Sequence, residues 1–431
     1  MRFKLIYPAW PKLPNQTEFN LPPHGPVVMA AALPDWVEVE FVDENVQPLE
    51  LDDAPDLVGI SMMLSSQLDR GLAIADAYRA RGIPVLCGGI ATMLHGEQAM
   101  QHADSVFLGE VEGRIEKVFD DFAHGRLAPL YNHLNDRPPI ELVGPARRDI
   151  LDRDRYYHKG VRMVDLFHAS RGCRFKCYPC AVAFLGGRQF RPRPFDRVLE
   201  ELETIDNPRL FVVDNSLAQD REWEKQLFRE MIPMKKTWCS HTIEDDPEVL
   251  DLAAQAGAWY VYQAVFDTSD TIKQRIQRYH DHGIAVEGTI LLGLDHHTED
   301  YIQRLVEFLL EIDLDLAEFT VLTPFPHTKC HDDLLKQGRI LSHDWSRYTA
   351  ADVVYQPKHM APERLQELYH WAWQTFYRDE PQNMKMFKLL KKAVARELAL
   401  GTYQGRRRDL IDRSFGRKVA PAAAAGGEDR R

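Results

Sequence analysis

Three cysteines lie close together near the middle of the chain, at Cys173, Cys177 and Cys180. Their spacing, C-x3-C-x2-C, places three thiolates within reach of one cubic iron–sulfur cluster and supplies no fourth cysteine. A 4Fe–4S cluster that is held by three cysteines keeps one iron open to another ligand. The spacing therefore predicts a redox site at which a small molecule can chelate iron and accept an electron.

A structural zinc site is the alternative for the same cysteines. Thiolates at short spacing also suit zinc, and His168 is close enough in the sequence to complete a Cys3His set. Structural zinc usually takes its ligands from two separated pairs, and no second Cys or His pair follows at ligand spacing. Only 6 cysteines in 431 residues argue against a disulfide framework. Cys87, Cys239 and Cys330 are expected to be buried free thiols in a reducing compartment.

The composition indicates a large enzyme with two or three domains, because 431 residues with 45% hydrophobic content can bury more than one core. A net charge of -12 argues against a general nucleic-acid binder. Basic residues at 406–408, 413 and 417–418 are interpreted as a solvated helix end, with an anionic partner or membrane surface as the alternative. No apolar run approaches the roughly 18 residues of a transmembrane helix. We therefore expect a cytoplasmic location.

Residues 1–135 alternate short apolar runs with helical patterns, which is typical of a parallel sheet covered by helices. Gly88-Gly89 and Gly109 directly follow two of the apolar runs. Glycine at the carboxyl end of a strand lets a flat ligand approach the backbone. A plain doubly wound domain that binds nothing, or binds a nucleotide, is the alternative. The pattern predicts strands at 3–7, 37–42, 57–61, 85–87 and 105–108, and helices at 27–33, 67–81 and 97–102.

A proline-rich linker at 136–160 precedes a second alternating region at 161–340. The order of strands and helices is that of a (β/α)6 partial TIM barrel, and the cysteines follow its first strand. Barrel chemistry gathers at the carboxyl ends of the strands. Strands are predicted at 164–167, 210–213, 237–240, 259–265, 286–292 and 316–322, and helices at 196–205, 220–231, 247–256, 269–282 and 298–312.

The last part of the chain is predicted to be a helical region at 341–415, with helices at 362–377 and 384–400. This region either caps the barrel mouth and shapes a substrate pocket or serves only to pack the scaffold. Residues 416–431 are rich in small and charged side chains and are predicted to be a disordered tail.

The cysteine motif and its setting resemble the radical S-adenosylmethionine (SAM) superfamily. The resemblance implies that the open iron binds the amino and carboxylate groups of SAM. It also implies that an electron from the cluster cleaves SAM to a 5'-deoxyadenosyl radical. One residue departs from the family pattern: Pro179 precedes the third cysteine where an aromatic residue is usual, and Tyr178 lies one place earlier.

The first domain resembles the cobalamin-binding domain that precedes the radical SAM barrel in one large class of the superfamily. The matching stretches are 56–61, 82–92 and 103–112. The D-x-H-x-x-G loop is missing, since the chain reads Asp43-Glu44-Asn45-Val46-Gln47-Pro48 at the comparable place. The resemblance therefore implies cobalamin without a lower histidine ligand. Its implied cobalamin-binding residues are Ser61, Gly88, Gly89, Thr92, Gly109 and Glu110.

Two further stretches resemble SAM-binding parts of the superfamily. The segment at 213–216 ends the second barrel strand, where related proteins contact the SAM amino group, and the segment at 288–294 resembles the strand that lines SAM. The fourth strand departs from the family pattern, because residues 263–267 replace its usual segment. The SAM-binding residues implied are Asp214, Asn215, Ser216, Gly288 and Gly293.

The resemblance implies a cobalamin-dependent radical SAM methyltransferase that adds a methyl group to an unactivated carbon, through a 5'-deoxyadenosyl radical and methylcobalamin. The alternatives are a radical SAM oxidative cyclase or rearrangement enzyme, similar to the anaerobic tetrapyrrole cyclase, and a non-catalytic cofactor-binding protein. The expected partners are a small-molecule, lipid or tetrapyrrole-like substrate and a reductant such as flavodoxin or ferredoxin. No nucleic acid is expected. The sequence identifies no catalytic acid or base.

Overall fold

The computed structural model describes residues 1–13, 19–158 and 161–404. The basic residues at 406–418 and the tail predicted at 416–431 lie outside the described residues. Within the described part, the chain forms two large parallel sheets, one after the other. No helix of this part is long and apolar enough to cross a membrane.

The first sheet contains six parallel strands among the described residues, and helices cover both of its faces. The strands are β1 (Arg2–Tyr7), β2 (Glu38–Asp43), β3 (Leu57–Ser61), β4 (Val85–Gly88), β5 (Ser105–Leu108) and β6 (Leu130–Asn132). The helices are α1 (His24–Ala31), α2 (Leu68–Arg79), α3 (Ile90–Leu94), α4 (Gly96–His102) and α5 (Ile115–Ala123). The spatial order is β2-β1-β3-β4-β5-β6, which is a doubly wound arrangement.

The two faces of this sheet pack into separate cores. Val58 and Ile60 face one core, together with residues of α2, whereas Leu5 and Leu57 face the other, together with residues of α5. A strand that is buried on both faces reads as a continuous apolar run, which is why β3 could be predicted from its sequence alone.

The second sheet contains six parallel strands in sequence order, β9-β12-β13-β14-β15-β16, and forms the partial barrel. Two short antiparallel pairs, β7 with β8 and β10 with β11, lie at its start. The strands are β7 (Tyr157–His158), β8 (Val161–Arg162), β9 (Asp165–Phe167), β10 (Ser170–Arg171), β11 (Arg191–Pro192), β12 (Arg209–Val212), β13 (Thr237–Ser240), β14 (Ala258–Ala264), β15 (Ala285–Leu292) and β16 (Leu316–Val321). The helices are α6 (Val182–Leu185), α7 (Phe195–Thr204), α8 (Arg221–Met231), α9 (Pro247–Ala256), α10 (Asp270–Asp281), α11 (Glu299–Glu311) and α12 (Lys329–Lys336).

Polar side chains mark the starts of the outer barrel helices. Asp220, Asp246 and Thr298 each accept a hydrogen bond from a first-turn backbone N–H, of α8, α9 and α11 respectively. Such caps satisfy amides that have no partner inside the helix. Gly257 ends α9 in the left-handed conformation, at a φ of 110°. These local signals explain why the predicted barrel helices agree closely with the observed ones.

Two C-terminal helices complete the described chain, α13 (Pro362–Phe376) and α14 (Gln382–Leu400). Leu389 and Ala393 of α14 pack against the inner face of the barrel. A buried ion pair fastens this helix, since Arg209 donates to Glu397 at 2.5 Å. The helix therefore covers part of the inner face that the outer helices leave open.

The predicted fold class is confirmed: a doubly wound parallel sheet is followed by a (β/α)6 partial barrel and a helical region. The sequence reasoning missed β6 and two helices of the first domain, α3 and α5. β6 is only 3 residues long and is an edge strand. Short elements of this kind give a weak periodic signal.

Candidate cofactor site between the two sheets

A cavity of about 410 Å³ lies where the carboxyl ends of the strands of both sheets meet. One wall comes from the ends of β3, β4 and β5 with α1, and the other from the ends of β9 and β12 with the cysteine loop. In α/β folds, ligands bind at the carboxyl ends of the strands, and these ends of both sheets face the same cleft. The predicted site residues that line it are Ser61, Gly88, Gly89, Gly109, Glu110 and Asn215.

The wall from the first sheet is apolar and glycine-rich. A Cβ added at Gly25 or Gly88 would meet no atom closer than 3.9 Å or 3.8 Å, so a side chain at either position would occupy free space. Gly89 and Gly109 have φ angles of 93° and 121°, which favour glycine. A smooth wall of this kind fits the face of a flat macrocycle such as a corrin.

Thr92 does not line the cavity, although it belongs to the predicted set. Its side chain is fully buried, and its hydroxyl donates to the backbone oxygen of Gly88 at 2.8 Å. Thr92 therefore stabilises the strand end that forms the wall.

The cysteine loop, residues 172–181, joins β10 to α6. Gly172 has a φ of 75°, and the backbone N–H of Cys173 donates to Gly187 O at 3.1 Å. Gln219, which follows the second barrel strand, β12, forms two hydrogen bonds with the loop. Its side-chain oxygen accepts a hydrogen bond from the Arg174 N–H at 2.9 Å, and its side-chain amide donates one to Gly172 O at 3.2 Å. The base of the loop is therefore fixed.

The three predicted cluster ligands are free thiols. Cys173 is half-buried, whereas Cys177 and Cys180 are exposed. Burial raises the pKa of Cys180, and the neighbouring Cys177 and Cys173 act in the same direction. The loop thus provides soft ligands at the carboxyl edge of the barrel, where the thiolates could bind different irons of one cluster.

The arrangement does not support a compact zinc site. Both ring nitrogens of His168 have partners: Nδ1 lies 2.7 Å from His24 Nε2, and Nε2 accepts from Arg171 Nε at 3.3 Å. Across residues 1–13, 19–158 and 161–404, no three His, Cys, Asp or Glu side chains are grouped so as to hold a single metal ion. His168 is therefore unsuited to complete a Cys3His set.

Charged side chains join the two sheets beside the cysteine loop. Arg171, just before the loop, donates to Glu110 at 2.8 Å and to both carboxylate oxygens of Glu112, at 2.7 and 2.9 Å. Arg191 also donates to Glu110. Burial alone would raise the pKa of Glu110, but the two arginines outweigh burial and lower it. Glu110 therefore links the first domain to the barrel.

Two neutral histidines lie in the same junction. Because arginine only donates, Arg171 fixes Nε2 of His168 as an acceptor, and the His168 proton is on Nδ1, facing His24. Burial lowers the pKa of both rings well below the usual value, and the nearby arginines add to this effect. Both side chains line the cavity and add polar but uncharged groups to it.

The three consecutive residues predicted to bind SAM take different positions. Asn215 lines the cavity and donates to Gly172 O at 3.5 Å. Asp214 is buried; it accepts from the Ala169 N–H at 2.8 Å and from the Ser170 hydroxyl at 2.5 Å. Burial raises the pKa of Asp214 to about 6, against the effect of these hydrogen bonds. Asp214 therefore fastens the ends of two strands together.

The remaining predicted SAM residues lie away from the cavity lining. Ser216 donates to Thr242 O at 3.4 Å. A Cβ at Gly288 would lie 2.7 Å from Leu314, so this glycine permits close packing on the outer side of β15. Gly293 has a φ of 89°, and its backbone oxygen accepts from the Tyr355 hydroxyl.

The sequence reasoning missed the junction residues Arg171, Glu112 and His24. Glu112 belongs to the stretch at 103–112 that carries the resemblance, and Arg171 lies two residues before the first cysteine, but nothing in the sequence shows that they meet. Their separation of 59 residues makes the contact a product of the tertiary fold. No local sequence signal identifies His24.

The chain is similar in sequence to curated proteins that include a methyltransferase and a cyclase. No protein-family model matches the chain. The chain is 25% identical to the bacteriochlorophyllide d C-12(1)-methyltransferase of Chlorobaculum tepidum, over 79% of this chain and 79% of that protein. It is 24% identical to an anaerobic magnesium-protoporphyrin IX monomethyl ester cyclase of Cereibacter sphaeroides, over 91% of this chain and 74% of the relative.

Solved structures share the fold at lower identity. TsrM of Kitasatospora setae, a radical SAM methyltransferase solved with cobalamin and a 4Fe–4S cluster, matches with a TM-score of 0.62 and 17% identity, over 85% of each chain. OxsB, a cobalamin-dependent radical SAM enzyme, matches with a TM-score of 0.65 and 12% identity, over 96% of this chain and 75% of OxsB.

The two sheets, in this order along the chain, match the fold of TsrM and OxsB. The chain is also similar to the curated relatives over most of its length, which agrees with the resemblance to the cobalamin-binding radical SAM superfamily. The cysteine motif and the strand-end glycines indicate the same resemblance.

Proposed function

We propose that this chain is a cobalamin-dependent radical SAM enzyme that transfers a methyl group to an unactivated carbon of a small molecule. The observation that supports the proposal is the cleft between the glycine-lined edge of the first sheet and the barrel edge at which the cysteine loop begins, with Arg171 and Gly172 in its lining. The three cysteines follow Gly172 on this loop and are not themselves lining residues. Two cofactors that bind these edges would face each other across that cleft.

The proposed cluster ligands are Cys173, Cys177 and Cys180, because these thiols are free and lie on one anchored loop. SAM would lie beside this loop and Asn215, with Asp214 and Ser216 shaping the strand end. Gly288 and Gly293 keep a supporting role in this proposal, through the packing of β15 and the segment after it.

Cobalamin would lie against Ser61, Gly88, Gly89 and Gly109, with Thr92 and Glu110 supporting this wall. When bound, the cluster and SAM supply an organic radical, and cobalamin supplies the methyl group. The chain's own residues bind and orient these groups, and its apolar wall excludes water from the space between them.

The same proposal includes the domain limits 1–135, 136–160, 161–340 and 341–415, with the remainder as a tail. An external one-electron reductant such as flavodoxin or ferredoxin is inferred, because an iron–sulfur cluster needs an electron source. A cytoplasmic location agrees with six unpaired cysteines, and the net charge of -12 argues against a nucleic-acid partner.

Labelled SAM provides the test of methyl transfer. The anaerobically purified holoenzyme would be given methyl-deuterated SAM, a reductant and a cell extract supplemented with tetrapyrrole and lipid compounds. We expect 5'-deoxyadenosine, S-adenosylhomocysteine and one product that carries the deuterated methyl group. Absence of S-adenosylhomocysteine and of labelled product, while 5'-deoxyadenosine accumulates, would contradict methyl transfer.

Similarity to a magnesium-protoporphyrin IX monomethyl ester cyclase supports an oxidative cyclase as the second candidate. A cyclase would form 5'-deoxyadenosine and a product of altered unsaturation without added deuterium. A non-catalytic binding protein would form neither 5'-deoxyadenosine nor S-adenosylhomocysteine above background. The same mass-spectrometric experiment therefore separates the three functions.

A further inference from the structure

A second polar cluster lies on the inner face of the barrel, beneath the cleft. We call it the inner chamber and define it by Tyr260 and Tyr262 on β14, Glu287 on β15, Glu318 on β16, and His241, which follows β13. None of these residues belongs to the cavity lining described above. The predicted cofactor residues do not include them either.

Strand alternation places these side chains on the inside of the barrel. Val286 and Ala317 pack in the core that contains the outer helices, whereas Ala285 and Leu316 pack with Leu389 of α14 on the opposite face. Since successive side chains of a strand point to opposite faces, Glu287 and Glu318 share the inner face with Ala285 and Leu316.

Among residues 1–13, 19–158 and 161–404, the two glutamates have no cationic partner. Glu287 is 4% exposed, and its Oε2 has no hydrogen-bond partner among the described residues. In the register of β15 and β16, Glu287 lies opposite Leu316 and Thr289 opposite Glu318, so the carboxyl groups are diagonal neighbours. Within the described residues, no lysine or arginine contributes to the pKa of either carboxyl.

The electrostatics follow from this isolation. Burial raises the pKa of Glu287 to about 8, and the charge of Glu318 adds to the effect; burial raises the pKa of Glu318 to about 7. Burial lowers the pKa of His241, so its ring is neutral. The other titratable groups that face the pair are uncharged at neutral pH as well, and they are Cys239, Tyr260, Tyr262 and Tyr377.

The chamber is next to the proposed cofactor cleft. His241 Nδ1 donates to the backbone oxygen of Asp214 at 2.6 Å, and the following residue, Asn215, lines the cleft. The His241 ring lies between aromatic rings, with centroids 5.4 Å from Phe211 and 5.7 Å from Tyr262. His241, Tyr262 and Glu318 are only half-buried, so solvent reaches this part of the inner face.

We propose that Glu287 and Glu318 bind a protonated nitrogen of the substrate inside the barrel. This proposal rests on the proposed function and narrows its substrate class to molecules with a basic amine or a similar cation. A cation would supply the missing counter-charge, and the neighbouring aromatic rings would favour it further. On binding, the carboxyl group gives up its proton to solvent, and the ammonium pairs with the resulting carboxylate.

The test uses phenethylamine as the probe and 2-phenylethanol as its neutral counterpart, with the holoenzyme and without turnover. Difference infrared spectra in deuterated buffer near pH 6.5 would follow the carbonyl band of protonated carboxyl groups. We expect phenethylamine to remove part of this band and 2-phenylethanol to leave it unchanged. Affinity for the amine should rise up to about tenfold per pH unit between pH 6 and 8, as protons compete less.

Isosteric variants identify the carboxyl groups responsible. Glu287→Gln and Glu318→Gln should each lower the affinity for phenethylamine at least tenfold and reduce the infrared change. Glu224→Gln is the matched control, because burial also raises the pKa of Glu224 to about 8, but this residue is on α8 outside the barrel. It should leave amine binding unchanged.

Equal binding of the amine and the alcohol, or an unchanged amine response in both chamber variants, would overturn the proposal. If a chamber variant fails to fold, the comparison of the two probes on the wild-type holoenzyme still decides. Because this experiment involves no methyl transfer, its failure is distinguishable from failure of the proposed function, which is read from S-adenosylhomocysteine and the labelled product.

Discussion

The two walls of the cofactor cleft are built from the same kind of sheet edge, yet they differ in chemistry. The wall from the first sheet consists mainly of glycines and apolar side chains, such as Gly88 and Ile60. The barrel wall contains Gly172 at the start of the cysteine loop, Arg171 and His168. The first wall can position a large flat group by shape, whereas the second can hold a metal cluster and charged groups. The fold separates positioning from redox chemistry.

Charge is also distributed unequally between the walls and their junction. The carboxylates that the first sheet contributes, Glu110 and Glu112, are both paired with arginines of the barrel. Buried charges are tolerated when they are paired and hydrogen-bonded. The ion pairs therefore join the two walls, whereas the carboxyl pair of the inner chamber has no cationic partner within the described part of the chain.

The largest effect is expected on the barrel wall. Cys173→Ala, Cys177→Ala or Cys180→Ala should abolish both the iron–sulfur absorption and 5'-deoxyadenosine formation, because each removes one of three ligands. Cys87→Ala is the control, since burial raises the pKa of this thiol to about 12 and it lies in the core of the first sheet. Full SAM cleavage in any one of the three variants would refute the ligand set.

A side chain that fills the wall from the first sheet should weaken cobalamin binding without affecting the iron–sulfur cluster. Gly88→Leu would place a side chain in the free space of the cleft, so we expect cobalamin affinity to fall at least tenfold, measured by cobalt retention after gel filtration. Iron and sulfide content should remain unchanged. Gly144→Ala, at a position with no atom within 4 Å of an added Cβ, serves as the control. Wild-type cobalt retention in Gly88→Leu would place cobalamin elsewhere.

Breaking the junction tests whether its ion pairs hold the walls together. Arg171→Met leaves Glu112 without its bidentate partner and should cost about 3–5 kcal/mol of unfolding free energy in urea titrations. The exposed pair of Arg114 with Asp136 is the matched control, and Arg114→Met should cost at most about 1 kcal/mol. An equal loss of unfolding free energy in both variants would show that the junction ion pairs stabilise the protein no more than an exposed pair does.

The pH dependence of Arg171→Met follows from the lowered pKa of Glu110. A carboxyl with a lowered folded-state pKa stabilises the protein above its unfolded-state pKa, and this stabilisation is lost as pH falls through the folded-state value. The stability difference between wild type and Arg171→Met should therefore narrow in acid. A difference that stays constant down to acidic pH would contradict this role of the charges.

The chamber carboxyls should change the pH dependence of stability, by less per pH unit than the loss expected for Arg171→Met. Glu287 has a raised pKa, so the folded state binds more protons than the unfolded state between about pH 5 and 8, and stability falls with rising pH. Glu287→Gln should remove about 1.4 kcal/mol per pH unit of this slope. Glu224→Gln should flatten the slope in the same way. Urea titrations between pH 5 and 8 measure the slope of unfolding free energy against pH. The same slope in wild type and in Glu287→Gln would contradict the raised pKa of Glu287.

Much of the fold could be predicted from the sequence because its signals are local. Doubly buried strands such as β3 are continuous apolar runs, and helices such as α9 begin at an N-cap and end at a glycine. The cysteine spacing is likewise contained within 8 residues, from Cys173 to Cys180. These features explain why the fold class was predicted correctly and why the resemblance to the superfamily could be recognised from the sequence.

The contacts between distant segments could not be predicted in the same way. Arg171 meets Glu112 across 59 residues, and Glu287 lies beside Glu318 only because β15 and β16 pair in one register. A glutamate in a strand gives no local sign that it faces a barrel interior. The assigned contacts of Asp214 and Gly288 with SAM also stay predictions, since both residues are engaged in packing or hydrogen bonds of the scaffold.

The measurement that tests the two-wall arrangement most directly is the metal content of the anaerobically reconstituted wild-type protein. Iron, sulfide and cobalt would be quantified per chain after reconstitution and exposure to hydroxocobalamin. We expect about four irons with matching sulfide, held by the barrel loop, and one cobalt, held by the first sheet. Iron without cobalt, or zinc in place of iron, would contradict the proposal that the two sheet edges bind two cofactors across one cleft.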